Sequence, residues 1–319
     1  MSEFEEIENL NDQEIWDRLT FESGVGRARV LYEISKRTFG KKNYLAAQVL
    51  AEESRNQYLD CRNQSLDCKE EVTSVEIADS YMAIAINAQE LKNFDQVIAN
   101  TKQALSYYKE SGMKYNLIAS EMLVEAFEAQ DRFEDAITEL EGMAQNVEID
   151  QENGDLAYLL IKISENYRKI HKFEDALSMA QKAKASAIVK KSENQVWYIE
   201  AAIAENLFEL GRFDESLEKL SRVIDIFSLF GKNYQEVKAK LFVARIKKAQ
   251  GHIQEARAEF DALTIDMKSK GIEDNSLFLK VENEVIDCLE KMGFEENKEE
   301  IEMRKRRIKN HEQLVTTVE

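Results

Sequence analysis

Apolar and small side chains recur along this chain in a pattern that restarts at a fixed interval. RFEDAIT at 132, KFEDALS at 172 and RFDESLE at 212 are variants of one phrase, and their aromatic positions Phe133, Phe173 and Phe213 stand forty residues apart. Carried in both directions through KNYLAAQ, KNFDQVI, HIQEAR and GFEEN, the phrase gives the anchors Tyr44, Phe94, Phe133, Phe173, Phe213, Ile253 and, more weakly, Phe294. Three residues after the first six comes a small or short side chain: Ala47, Val97, Ala136, Ala176, Ser216 and Ala256. Nine residues before them stands another mostly small column of Ser35, Ala85, Val124, Ser164, Ala204 and Ala244. Small residues at these two places predict a pair of antiparallel helices that approach closely, joined just before the anchor. No two-residue alternation marks a strand, so the chain reads as all-α, an array of helical hairpins each packed on its neighbours.

The turns before the anchors are polar or carry glycine: LKNF, QDRF, IHKF, LGRF and QGHI. Gly112, Gly231 and Gly271 each fall eighteen positions after an anchor, as glycine does just past a helix end. Second helices of about eighteen residues, about 27 Å long, are expected. Tyr44 to Phe94 is fifty residues, with the surplus near residues 60–71. Either two helices are longer there or a polar loop protrudes, and a tolerated insertion competes with a binding element.

Phrase, anchor, acidic pair and alanine resemble the tetratricopeptide repeat over residues 25–292. The unit departs from that family in being forty residues long against about 34, and in lacking the family's closing proline. The resemblance implies a right-handed superhelical solenoid of six to seven hairpins, of the long-helix kind found in adaptors and peptide receptors. The expected organisation is an acidic capping helix over 1–22, the repeat array over 23–292, and a basic capping helix over 293–319. Residues 1–22 carry eight acidic side chains and one arginine, with Phe4, Ile7, Leu10, Ile15, Trp16 and Leu19 at amphipathic spacing. Residues 302–310, EMRKRRIKN, hold five basic and one acidic side chain, either as the polar face of a final helix or as a basic patch.

Composition narrows the chemistry. Proline is absent, which suits a nearly all-helical chain because proline in a helix interior costs roughly 3 kcal/mol. A net charge of -18 repels a phosphate backbone, so nucleic acid is disfavoured as the main ligand. No apolar run is long enough to span a membrane and no secretory signal opens the chain, so a cytoplasmic protein is expected. Cys61, Cys68 and Cys288 form no CxxC and imply neither a disulfide framework nor a metal site. His171 and His252 sit in the inter-helix turns, and no phosphate loop, HExxH or nucleophile arrangement occurs, so no catalytic residue and no cofactor are assigned. The acidic pairs Glu134/Asp135 and Glu174/Asp175 complement the dipole at the start of second helices.

The resemblance implies a concave groove lined by first helices. Column by column it assigns partner contacts to Tyr32, Lys36, Ile86, Glu121, Glu125, Tyr158, Glu165, Arg168, Tyr198, Glu205, Phe208 and Arg245. One column runs Lys36, Ile86, Glu125, Glu165, Glu205, Arg245, so three successive hairpins would present carboxylates beside Tyr158, Tyr198 and Phe208. Such a strip suits a protein or peptide with a basic segment. The competing account has Arg168, Lys169 and neighbouring bases neutralising it. A clamp for a C-terminal carboxylate is disfavoured, because glutamates stand where positive or amide groups are needed. The leading function is a non-enzymatic protein-interaction scaffold. Its alternatives are a peptide-responsive regulator of the Gram-positive type acting through a bound partner, and a structural subunit of a larger or self-associated assembly.

Overall fold

The computed structural model describes residues 7–63, 71–113, 116–150, 156–190 and 192–316. Phe4, Cys68 and most of the surplus at 60–71 lie outside them. Among the described residues the chain forms fourteen α-helices and no strand. It divides into two compact units, Met1–Ile170 and His171–Glu319. The first holds α1 (Asp12–Phe21), α2 (Gly24–Gly40), α3 (Tyr44–Asn63), α4 (Ser74–Glu90), α5 (Phe94–Glu110), α6 (Leu117–Ala129), α7 (Phe133–Asp150) and α8 (Leu156–Lys169). The second holds α9 (Phe173–Val189), α10 (Glu193–Glu209), α11 (Phe213–Leu229), α12 (Asn233–Ala249), α13 (Ile253–Ser269) and α14 (Asn275–Thr316).

Every second helix begins on its anchor: Tyr44, Phe94, Phe133, Phe173, Phe213 and Ile253 are the first residues of α3, α5, α7, α9, α11 and α13. The two small columns are the contact lines within hairpins. In the first unit the Ser35 hydroxyl donates to the Ala47 carbonyl at 2.7 Å. In the second, the Ser216 hydroxyl donates to the Ala204 carbonyl at 2.7 Å, the same contact with the two helices exchanging roles. Ala47, Ala85, Val97, Ala136, Ala204, Ala244 and Ala256 are buried, and a larger side chain at any of them would push the helices apart. Second helices run to 17–18 residues except α3, whose 20 residues absorb part of the surplus.

The turn before each anchor closes on a left-handed residue two positions upstream. Lys42, Lys92, Asp131, His171, Gly211 and Gly251 all have φ between 56° and 87°, and four of them carry a Cβ. The next residue's N–H then reaches back to the preceding helix, as Asn93 does to the Ala88 carbonyl at 2.8 Å and Arg132 to Phe127 at 2.9 Å. That bond satisfies an orphan carbonyl at the helix end. A side chain in this conformation costs roughly 1 kcal/mol, which glycine avoids. Asp131→Gly and Lys92→Gly should each raise stability by roughly 1 kcal/mol, whereas Gly211→Ala should lower it by a similar amount. Urea midpoints check this, and a fall in midpoint for Asp131→Gly would show that its side chain holds the turn.

At the amino end, Asn11 caps α1 in a capping box with Glu14, and Ile7, Leu10, Ile15 and Leu19 pack on Val30, Ile34 and Leu50. Trp16 departs from the expected apolar face and is half exposed. At the carboxyl end, α14 breaks at Gly293 (φ 130°) and folds back on itself, forming a further hairpin. Its returning arm buries Ile301 in the cluster of Val281, Val285 and Leu289. Three of the five cations of the basic run pair there: Arg304 with Glu282 at 3.0 Å and Asp261 at 2.6 Å, Arg307 with Glu282 at 3.2 Å, and Lys305 with Glu290 at 3.6 Å, while Arg306 and Lys309 are exposed. Arg304 is thereby built into the packing of the final hairpin, and the other four cations stay exposed. Cys61 and Cys288 are buried, and no helix among the described residues is long and apolar enough to cross a membrane.

Candidate functional site

In the first unit α2, α4, α5 and α6 surround a cavity of about 380 Å³. Its wall brings together three expected contact residues, Tyr32, Lys36 and Ile86. The Lys36 ammonium is held by Glu8 at 3.0 Å and Glu33 at 2.9 Å, and lies 5.8 Å from the centre of the Tyr32 ring. Burial, reinforced by the Asp79 carboxylate, pushes the Tyr32 phenol up to about 12. Across the cavity the Tyr108 hydroxyl donates to Asp79 Oδ1 at 2.6 Å. Burial raises the Asp79 carboxyl, and this hydrogen bond works in the opposite sense. Asn87, 2% exposed, donates its amide N–H to the Ala83 carbonyl at 2.7 Å and leaves Oδ1 without a partner.

A smaller cavity of about 110 Å³ lies among α6, α7 and α8 and gathers Glu121, Glu125 and Tyr158. Glu121 and Glu125 are exposed, and Glu125 accepts from Gln89 Nε2 at 2.8 Å. Tyr158 is 49% exposed, a large ring left at the surface of a first helix. Behind it Asn166 donates to Glu128 at 2.6 Å and to the Lys162 carbonyl at 2.9 Å, and its own buried Oδ1 has no hydrogen bond. Glu165 lies 4.0 Å from Lys162, and Arg168 is half buried in the last turn of α8.

In the second unit the expected contacts serve the protein itself. Glu205 is 6% exposed and pairs with Lys238 at 3.2 Å. Arg245 stacks over Phe208 at 4.7 Å and Phe242 at 5.3 Å and bonds Glu284 at 3.0 Å. Tyr198 is partly exposed and packs against Phe227 with ring centres 5.4 Å apart. Of the three carboxylates in the predicted acidic column, Glu205 is paired, Glu165 lies at 4.0 Å from a cation, and Glu125 has no ion pair among the described residues. The cations beside the column are Lys162 and Lys238, and in the first unit Glu121 and Glu125 remain as exposed carboxylates without an ion pair among the described residues.

Asp79, Asn87 and Tyr108 escaped the sequence reading. The forty-residue ruler reaches two of them. Fifteen residues before the anchors stand Arg29, Asp79, Ile118, Tyr158, Tyr198 and Lys238. Asn87, Asn166 and Asn206 likewise share the place seven residues before their anchors. No group of three or more His, Cys, Asp or Glu side chains able to hold a metal occurs among the described residues.

No protein-family model matches the chain, and neither does any curated protein sequence. Solved structures do match it. A signal-transduction ATPase with a tetratricopeptide repeat sensor from Pyrococcus horikoshii aligns over 84% of this chain and 39% of its own, at 12% identity and a TM-score of 0.57. Aspartyl phosphate phosphatase F from Bacillus subtilis aligns over 94% and 73%, at 14% identity and 0.56. A Rap protein solved in complex with Competence and Sporulation Factor aligns over 96% and 80%, at 14% identity and 0.53. At these identities the likeness is one of fold: the chain has the helical-hairpin architecture of tetratricopeptide-repeat-like proteins.

Proposed function

We propose that this chain is a non-enzymatic scaffold of the cytoplasm that binds a peptide or helical segment of a partner protein on the inward faces of its first helices. One observation carries the reading. In the first unit two cavities lie along α6, and on their walls stand the carboxylates of Asp79, Glu121 and Glu125, the half-exposed Tyr158 and the buried Asn87 with an unpartnered Oδ1, all on first helices. Groups of this kind gain from an extended chain that supplies N–H donors and side chains. The Rap protein found with Competence and Sporulation Factor supports the same use of this architecture, by analogy of fold alone.

The test uses the exposed part of the site. Glu121→Lys with Glu125→Lys reverses charge where no internal ion pair is broken, and Tyr158→Ala removes the ring. Each should reduce recovery of the native partner by about tenfold, about 1.4 kcal/mol, with the helical circular dichroism unchanged. Unchanged recovery for both variants, with salt sensitivity also unchanged, would overturn the reading.

A further inference from the structure

The larger cavity has a composition that specifies its occupant. Most of its wall is apolar or aromatic: Phe39, Met82, Ala83, Ile86 and Ile118, with the face of Tyr32. Two acceptors interrupt it. Asp79, half buried, takes the Tyr108 hydroxyl on one oxygen, and no lysine or arginine pairs with it among the described residues. The neighbouring carboxylates are all matched: Glu76 by Arg29 at 2.8 Å, Glu33 by Arg37 at 2.9 Å, and Glu8 by Lys36 at 3.0 Å. Asp79 is the carboxylate left over. The second acceptor is the Oδ1 of Asn87, whose residue lines the same cavity.

Both acceptors lie on α4, eight residues apart, which separates their backbones by about 12 Å along the axis. Ala83 and Ile86 stand between them on the same helix. A ligand that satisfies this wall has a cation at one end, an apolar stem across the middle and a hydrogen-bond donor at the other end. An anion is repelled by Asp79. A wholly apolar group covers the Asp79 carboxylate without supplying a donor to its second oxygen, at a cost of about 1–3 kcal/mol.

We propose that the cavity binds the side chain of an arginine or lysine residue of the partner segment, with the cationic head on Asp79, the methylene stem over Ala83 and Ile86, and an amide N–H on Asn87. This rests on the peptide-scaffold reading above and names its anchor. The face of Tyr32, close enough to Asp79 to feel its charge, adds cation-π attraction for the incoming head. Lys36 does not bar entry, because Glu8 and Glu33 hold its ammonium.

The experiment is a titration of the full chain, methyl-labelled at methionine and isoleucine, at low ionic strength. The probes are N-acetyl-arginine amide, N-acetyl-lysine amide, N-acetyl-leucine amide and spermidine. The two basic amides should shift the Met82 and Ile86 methyl signals at concentrations about tenfold below the leucine amide, the least that a hydrogen bond to a charged group delivers. Asp79→Asn should erase that preference while leaving the leucine amide unchanged, and Ala83→Leu, which fills the space, should block all three amides. Equal binding of the leucine amide, or a preference that survives Asp79→Asn, overturns the proposal. Spermidine binding about tenfold tighter than the arginine amide also overturns it, because the site then takes a free polyamine. Loss of the anchor and loss of the scaffold reading remain distinct. If the amides fail while partner recovery still depends on Glu121 and Glu125, only the anchor falls; if the amides bind while recovery ignores those residues, only the scaffold reading falls.

Discussion

Arg304→Ala should destabilise the carboxyl-terminal unit by about 3–5 kcal/mol, the usual cost of removing one partner of a buried ion pair. Its guanidinium, with a side chain 9% exposed, bonds Glu282 at 3.0 Å, Asp261 at 2.6 Å and Glu300 at 3.1 Å. Glu282 is fully buried, and after the substitution only Arg307, 3.2 Å away, still pairs with it among the described residues. Arg307 is about half exposed and pays entropy and solvent screening for that contact. The truncation therefore strands a carboxylate in the cluster that seats the returning arm of α14. Arg304→Lys should fall between, since a point ammonium cannot meet three carboxylates in the guanidinium's planar geometry. Arg304→Met combined with Glu282→Met should recover much of the loss, because both charges leave together. Urea unfolding followed by Trp197 fluorescence, in a Trp16→Phe background, measures all three. A cost below about 1 kcal/mol for Arg304→Ala would mean that water already reaches Glu282.

The same residue shows where the sequence was ambiguous. EMRKRRIKN reads equally as a basic patch or as a polar closing helix, because composition cannot say which carboxylates lie opposite. Asp261 and Glu282 are 43 and 22 positions from Arg304. Only the fold-back at Gly293 brings them together. The starts of the second helices, by contrast, were legible to the residue. An anchor that starts a helix and small residues on a fixed ruler are local consequences of periodicity and close packing, and six copies reinforce one another.

The candidate site was legible in part. The ruler located first-helix columns, and the structure gathers Tyr32, Lys36 and Ile86 around one cavity and Glu121, Glu125 and Tyr158 around another. It could not foresee that Glu205 would be covered by Lys238, since that pair joins successive first helices and depends on side-chain reach. Nor did it single out Asp79. In sequence that residue is one acid among many; its distinction is that its neighbours pair with cations and it does not.

Phe260→Ala should cost about 3–5 kcal/mol, although the same place is small in three of the other hairpins, at Ala51, Thr101 and Ala180. Seven residues after the anchors stand Ala51, Thr101, Leu140, Ala180, Leu220 and Phe260, each 2% exposed or less. Equal burial with unequal volume means that the size of this position is set by what surrounds it. Phe260 is fully buried in a cluster with Val237, Leu241, Ala244, Ala256, Leu263, Val281 and Val285. Removing the ring opens a cavity in that cluster, so the lost transfer energy adds to whatever void partial relaxation leaves. Phe260→Leu should cost less, because most of the volume is kept. The reverse change, Ala180→Phe in α9, should also destabilise, by roughly 1–3 kcal/mol, through overpacking. Urea midpoints read each value, and benzene supplies the decisive control. It should restore part of the loss in Phe260→Ala and nothing in Ala180→Phe, since only the former holds a dry apolar void. If benzene helps neither variant and Phe260→Ala costs under about 1 kcal/mol, the neighbouring helices close over the site, and this repeat position tolerates size as freely as the sequence column suggests.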